Sequence, residues 1–210
     1  MNKRFLLVAA ALVTGLSSGF ATSVVFDFSP GPTGGSVVSP HSFDSAPTGY
    51  TIVASGFMKP DSPTALYQKY SPGDPSETGL GIAADSPDFE IPSEYFVQLD
   101  VQDLIDHGFT SITFKLGSLQ GSEKAIISSD ATLGTYGDAN PLIALTGQVE
   151  KTFTADLTSR YFDFSGAGGN NGTGDTILET ATANVPDGGA TVLLVGGVLL
   201  AILGIRRRLA

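Results

Sequence analysis

The sequence predicts an all-β fold, an antiparallel β-sandwich or jelly roll, for the middle of this 210-residue chain. From residue 24 onward, apolar residues fall in short runs separated by Gly, Pro, Ser, Asp and Asn, and few runs are long enough for a helix. Two runs, residues 97–101 and 111–116, alternate apolar and polar side chains, which places Gln98 and Asp100 on a solvated face. This alternation is typical of antiparallel sheets that bury one face.

About nine or ten short strands separated by turn residues favour a sandwich over a barrel. The candidate strands, in chain order, are residues 24–28, 50–58, 65–70, 95–101, 109–116, 124–128, 142–146, 149–155 and 161–164. One helical candidate covers residues 101–107, where Asp103 to Asp106 would form a single turn. Segments 29–48 and 71–79, rich in Pro, Gly and Ser, are expected to be long loops, and 166–174 a flexible turn.

The N-terminus has the order of parts of a secretory signal peptide. Lys3 and Arg4 precede an apolar run over residues 5–16, and small residues follow it. Residues 1–23 are therefore predicted to be a signal peptide, cut after Ala21 or after Ser23. The alternative is an uncleaved membrane anchor, for which the apolar run is short.

The predicted domain, residues 24–184, is strongly acidic. It contains six Lys/Arg against twenty Asp/Glu, which gives a formal charge of −14. Such a surface repels nucleic acid and anionic lipid, so neither is an expected partner. The chain has no cysteine, which excludes disulfides, thiolate metal sites and a cysteine nucleophile.

The C-terminal segment 185–210 has three parts. Val185, Pro186, Asp187, Gly188 and Gly189 come first, and residues 190–205 follow without a charge. Three arginines, Arg206, Arg207 and Arg208, come next. A run of sixteen residues is slightly short for a membrane-spanning helix, but the two glycines can extend it and the arginines can snorkel. The sequence therefore predicts a transmembrane helix whose arginines stay in the cytoplasm.

This order of motif, apolar helix and basic terminus resembles the C-terminal sorting signals called PEP-CTERM, in particular their VPDSG or VPDGG variant. Asp187 stands where Glu is common in the family, and Gly188 stands where Pro or Ser is common. The resemblance implies that exosortase, a membrane-embedded transpeptidase-like protease, recognises residues 185–189 and cuts near them. An ordinary single-span anchor is the alternative.

The resemblance also implies a location. It implies export by a Gram-negative bacterium that makes exopolysaccharide, transient residence in the inner membrane, and a final place on the cell surface or in the extracellular matrix. Exopolysaccharide is then a possible partner of the domain.

Few residues are suited to catalysis. The two histidines, His41 and His107, lie in loop and turn sequences, and the common nucleophile, zinc and phosphate motifs are absent. A hydrolase would need a cleft lined by two carboxylates about 5–10 Å apart. No catalytic residue and no cofactor are predicted, and the expected function is that of a non-enzymatic surface or matrix protein.

The alternative function is a calcium-dependent or carbohydrate-binding module. Asp85, Asp88 and Glu90 form the best local cluster of hard oxygen ligands for Ca²⁺, and Asp74 with Glu77 forms a second. Solvated acidic loops are the competing interpretation of these carboxylates.

Sugar binding would use exposed aromatic faces, although a strand tyrosine more often packs at a sheet edge with its hydroxyl in water. Trp is absent, so the six tyrosines are the candidates: Tyr50, Tyr67, Tyr70, Tyr95, Tyr136 and Tyr161.

Overall fold

A computed structural model of the chain describes residues 23–184, apart from residue 47 and the segments 138–140, 147–149 and 169–173. Residues 141–146 and 168 are described by their backbone alone. The described residues belong to one unit, Ser23–Asn184. The predicted signal peptide up to residue 22 and the whole predicted sorting segment, residues 185–210, lie outside the described residues.

Strands make up nearly all of the regular structure in the part of the chain that is described. The strands are β1 (Ser23–Asp27), β2 (Gly35–Val37), β3 (His41–Asp44), β4 (Thr51–Met58), β5 (Ser62–Thr64), β6 (Leu66–Lys69), β7 (Gly79–Ile82), β8 (Tyr95–Asp100), β9 (Ser111–Gly117), β10 (Glu123–Asp130), β11 (Pro141–Thr146), β12 (Lys151–Asp156), β13 (Tyr161–Gly168) and β14 (Ile177–Asn184). One short helix, α1 (Gln102–Asp106), lies inside the predicted helical segment, and a 3₁₀ turn covers Pro75–Glu77. The prediction of an all-β protein is confirmed.

The strands form two antiparallel sheets. The first sheet has the order β12-β9-β14-β7-β6-β2, with β1 also paired to β14. The second sheet has the order β11-β10-β13-β8-β4-β3, with β5 also paired to β4. The central strands β14 and β13 come from the end of the domain sequence, so both sheets depend on pairings between distant parts of the chain.

Aromatic side chains from the two sheets meet in the core. Phe114 of β9 packs against Phe162 and Phe164 of β13, with ring centroids 5.2 and 4.8 Å apart. Phe28, just after β1, packs edge-on against Phe43 of β3 at 4.8 Å. Each of these rings is buried, and burial of such a side chain stabilises a fold by about 1.5–3 kcal/mol.

The prediction that Gln98 lies on a solvated face is wrong. Gln98 of β8 is 1 % exposed, because residues 131–137 cross over the outer face of the second sheet and cover it. The Gln98 side-chain amide donates to the backbone oxygens of Thr132 and Thr135 at 3.3 and 3.2 Å. The alternating pattern therefore identified the strand correctly, but it could not indicate that a loop covers the polar side of the strand.

Five strands were not among the candidates: β2, β3, β5, β7 and β14. The first two lie inside the predicted loop 29–48, and β7 has the glycine-rich sequence GLGI. β14 has the sequence ILETATAN, whose small side chains carry little apolar signal although Ala181 and Ala183 are fully buried. Within the described part of the chain, no helix is long and apolar enough to span a membrane.

Candidate functional site

The predicted sorting motif follows directly on the last strand of the domain. Its residues and the three arginines lie outside the described part of the chain, but the strand that leads to them is described. Asn184 ends β14, and it is paired with Ser23 of β1 on one edge and with Ser111 of β9 on the other. Its backbone oxygen also accepts a hydrogen bond from the Thr110 N–H at 3.2 Å. The chain therefore enters the motif from a strand that is hydrogen-bonded on both sides.

The first sheet contains a break beside β14. Because β9 occupies one edge of β14 along its whole length, β1 and β7 must share the other edge. β1 pairs with the end of β14 up to Thr180, and β7 pairs with it at Leu178. An open groove of about 410 Å³ lies where β1 ends and the loop leading into β7 arrives. Its lining includes Asp27, Ser29, Tyr70, Pro72, Glu179 and Thr180.

Glu179 lies at a β-bulge in this wall of the groove. The register between β14 and β9 shifts between Leu178 and Thr180, which leaves Glu179 as the extra residue. Its side chain is 6 % exposed, and Oε2 accepts from Lys115 Nζ at 2.6 Å. Burial raises the pKa of Glu179, although Lys115 opposes that shift. Oε1 has no hydrogen-bond partner among the described residues.

Tyr70 is the most exposed of the six tyrosines and the one that lines the groove. Its side chain is 41 % exposed. The other candidates are half-buried or buried, and several have their rings covered: Tyr67 stacks on Phe89 with centroids 3.9 Å apart, and Tyr50 contacts both His107 and Phe109. Tyr70 is thus the one predicted aromatic candidate that the structure places in the groove.

The loop of residues 70–78 forms one wall of the groove and is held by a partly buried polar cluster. Lys69 Nζ donates to Glu77 Oε2 at 2.7 Å and also to Glu90 Oε1. Ser118 Oγ lies 3.0 Å from Glu77 Oε1 and 2.8 Å from Glu90 Oε2. The side-chain amide of Gln120 donates to Glu77 Oε1 at 2.7 Å. We call these five residues the lysine–glutamate cluster; it joins β6, the 3₁₀ turn, the segment before β8 and the segment after β9.

The two carboxyls of this cluster titrate in opposite directions. Burial raises the pKa of Glu90, which is 6 % exposed, and the neighbouring Glu77 adds to the rise. Burial alone would also raise the pKa of Glu77, but hydrogen bonds from Glu90 and Lys69 outweigh it and lower the pKa. The raised pKa of Glu90 and the lowered pKa of Glu77 favour a single proton on Glu90, and Lys69 balances the charge of Glu77.

The proposed calcium ligands do not come together as a set. Glu90 uses its oxygens for Lys69 and Ser118, and Asp85 Oδ2 accepts the Glu90 backbone N–H at 3.0 Å. The two members of the second candidate pair have different partners. Asp74 caps the 3₁₀ turn by accepting the Ser76 N–H at 3.1 Å, whereas Glu77 belongs to the lysine–glutamate cluster. Among the described residues, no group of three or more His, Asp or Glu side chains could hold a metal ion.

The two histidines have local packing partners. His41 of β3 packs edge-on against Phe43, with centroids 4.8 Å apart. His107 Nδ1 lies 2.7 Å from the backbone oxygen of Asp103, and its ring contacts Tyr50. These contacts place His107 at the end of α1 and His41 beside an aromatic ring.

Several residues of the groove and the cluster were not predicted. Lys69, Ser118 and Glu179 come from three separate segments, and no spacing in the sequence connects them. One signal appears only in the backbone: Ser118 has φ = 57°, a left-handed conformation that is unusual for a residue other than Gly or Asn. This conformation directs its hydroxyl between the two glutamates.

Comparison with known protein families gives a match at the C-terminus. Residues 184–209 match the VPDSG-CTERM motif. No curated protein matches the chain. The match begins at Asn184, the last residue of β14, and so adjoins the folded unit directly. A signal of this type implies an exported protein that is targeted to the cell surface and processed by exosortase. The chain therefore carries a C-terminal sorting signal of the PEP-CTERM type.

Proposed function

We propose that this protein is a non-enzymatic surface protein of a Gram-negative bacterium, exported and then processed by exosortase at residues 185–189. The observation that carries the proposal is the VPDSG-CTERM match over residues 184–209. The part displayed is an acidic β-sandwich, and its place is the cell surface or an exopolysaccharide matrix.

Both ends of the sequence support this proposal. The signal peptide predicted at residues 1–23 starts export, and the arginines at 206–208 favour a cytoplasmic C-terminus, so both place the acidic domain outside the cytoplasm. Its charge of −14 keeps such a domain soluble and away from anionic lipid. The tail would then be a temporary anchor that processing removes.

The geometry of the buried carboxyls supports a non-enzymatic role. Glu77 and Glu90 both contact Lys69 and Ser118, which therefore lie between the two carboxyls. A glycosidase holds its carboxyl pair about 5–10 Å apart so that a sugar or a water fits between them. In the lysine–glutamate cluster, Lys69 and Ser118 occupy the space between the two carboxyls, and the cluster joins four segments of the fold.

The sorting step is tested by substitution of the motif. The double variant Val185→Ala/Pro186→Ala removes the extended, rigid start of the motif. We expect it to keep its tail and to stay in the inner-membrane fraction, as wild type would in a strain without exosortase. The readout is an immunoblot of membrane, surface and medium fractions.

A matched control changes the same motif conservatively. Asp187→Glu restores the acidic residue common in this family and is expected to be processed like wild type. If the double variant reaches the surface without its tail at the wild-type rate, residues 185 and 186 are not part of a processing signal and the proposal is wrong.

A further inference from the structure

The exposed ring of Tyr70 is suited to stacking. Pyranose rings carry apolar C–H faces, which pack against aromatic rings, while their hydroxyls remain free for hydrogen bonds. Tyr70 is 41 % exposed, and among the described residues no ring or cation packs over it. Pro72, also exposed, extends the apolar surface of the groove beside it. The groove therefore offers a platform at one wall.

The rest of the groove presents oxygen atoms. Asp27 is exposed at the end of β1; its Oδ1 accepts from the N–H and the hydroxyl of Ser29, which leaves Oδ2 for a ligand, and Thr180 adds a hydroxyl beside it. Glu179 adds a second carboxylate at the bulge. No lysine or arginine belongs to the described residues that line the groove. Carboxylates and hydroxyls accept hydrogen bonds from sugar hydroxyls, and the carboxylates repel sulfate or uronate groups.

The groove is built from segments whose positions are fixed. Its floor belongs to β1 and the central strand β14, and the Phe28 N–H donates to the Glu179 backbone oxygen at 3.0 Å. The 70–78 loop is closed on itself, because the Ser71 N–H donates to Thr78 Oγ1 at 3.0 Å. The lysine–glutamate cluster then holds this loop against the first sheet. A site that is rigid before binding loses little conformational entropy when a ligand arrives.

We propose that the groove between Asp27 and Tyr70 binds an uncharged sugar residue of a polysaccharide, which stacks on Tyr70 and donates hydroxyl hydrogen bonds to Asp27. Ser29 and Thr180 complete the hydrogen bonding. The groove excludes polysaccharides that carry carboxylate or sulfate groups. This binding activity goes beyond the sorting function, because it rests on described residues of the domain, from Asp27 to Thr180, that precede the sorting signal.

Affinity electrophoresis tests the proposal directly. The full-length protein, kept soluble in a detergent without a sugar head group, is run through native gels that contain hydroxyethylcellulose, galactomannan or the polyuronate alginate. We expect at least one of the two neutral polymers to retard wild type, and alginate to leave its mobility unchanged. Tyr70→Ala should weaken the retardation roughly tenfold, as loss of a central aromatic contact does. Tyr70→Phe keeps the ring and should therefore lose much less of the retardation than Tyr70→Ala.

Two further variants separate the site from general effects on folding. Leu133→Ala removes a side chain of similar exposure, 55 %, that does not line the groove, and it should bind like wild type. Asp27→Asn keeps an amide oxygen as acceptor, so it should weaken binding to a neutral polymer less than Tyr70→Ala does, and it should lose part of the discrimination against alginate. Any of three results overturns the proposal: no retardation of folded wild type by either neutral polymer, equal retardation of Tyr70→Ala, or stronger retardation in alginate.

Discussion

The buried and half-buried carboxyl groups of this protein differ in how many protein hydrogen bonds replace those that they would form with water. Asp163 of β13 is fully buried, and it accepts hydrogen bonds from the Gly137 N–H at 3.0 Å and from Gln98 Nε2 at 2.8 Å. Burial nevertheless raises the pKa of Asp163 to about 6. Asp175 is half-buried, and its Oδ1 has no hydrogen-bond partner among the described residues. Burial, followed by repulsion from Asp85, raises the pKa of Asp175 to about 7.

Asp163→Ala is expected to destabilise the fold by about 2–4 kcal/mol, because it leaves the Gln98 amide and the Gly137 N–H buried without their acceptor. Urea denaturation followed by tyrosine fluorescence measures the free energy of unfolding. The exposed Asp61→Ala is the control and should change it by less than about 0.5 kcal/mol. A loss for Asp163→Ala no larger than that of the control would show that the covering segment 131–137 does not depend on this carboxylate.

Asp175→Asn is expected to have an effect that depends on pH. The folded state raises the pKa of Asp175 from 3.8 to about 7, so the folded protein binds more protons than the unfolded chain between these values. The stability contributed by this residue is therefore complete below about pH 4 and is lost as the pH rises through 7.

Asp175→Asn has no ionisable group at this position, so the variant does not lose this stability as the pH rises. It should match wild type near pH 4 and exceed it at pH 8 by about 1–2 kcal/mol, a modest gain because solvent screens a half-buried carboxyl. Thermal unfolding followed by circular dichroism at the two pH values measures the difference. Equal gains at both pH values would attribute the effect to packing rather than to ionisation.

At the scale of secondary structure elements, hydrophobic periodicity predicted the strands that carry large apolar residues. β9, with Ile112, Phe114 and Leu116 buried on one side, follows its pattern closely. β14 carries alanine and threonine instead, and these small residues suit a strand that pairs with β9, β7 and β1 together. The small side chains of β14 therefore explain why hydrophobic periodicity did not predict it, although β14 forms the floor of the groove and leads into the sorting motif.

The pairing of β14 has a consequence for processing. The backbone groups of Ala183 and Asn184 are bonded to β1 and β9, and a protease cannot bind the same groups at the same time. A Gly-Ser-Gly-Ser spacer between Asn184 and Val185 should therefore shorten the processing half-time several-fold in a pulse-chase experiment. The same four residues inserted after Gly31, in an open loop, serve as the control. Equal half-times for the two insertions would mean that exosortase does not engage residues before the motif.

At the scale of the whole molecule, the ends of the chain were the most informative parts of the sequence. Export and sorting signals are recognised from linear order and composition, which a sequence displays completely. The groove and the lysine–glutamate cluster depend on contacts between residues such as Lys69 and Ser118, which only the folded sheets bring together. Their members could be listed from the sequence as charged or polar residues, but their association could not.

Removal of the C-terminal tail after sorting is tested most directly by the intact mass of the protein recovered from the cell surface. We predict a mass that lacks the signal peptide and ends within or close to residues 185–189, with no trace of residues 190–210. A surface form that retains residues 190–210 would contradict this claim and would make the C-terminal segment a permanent anchor.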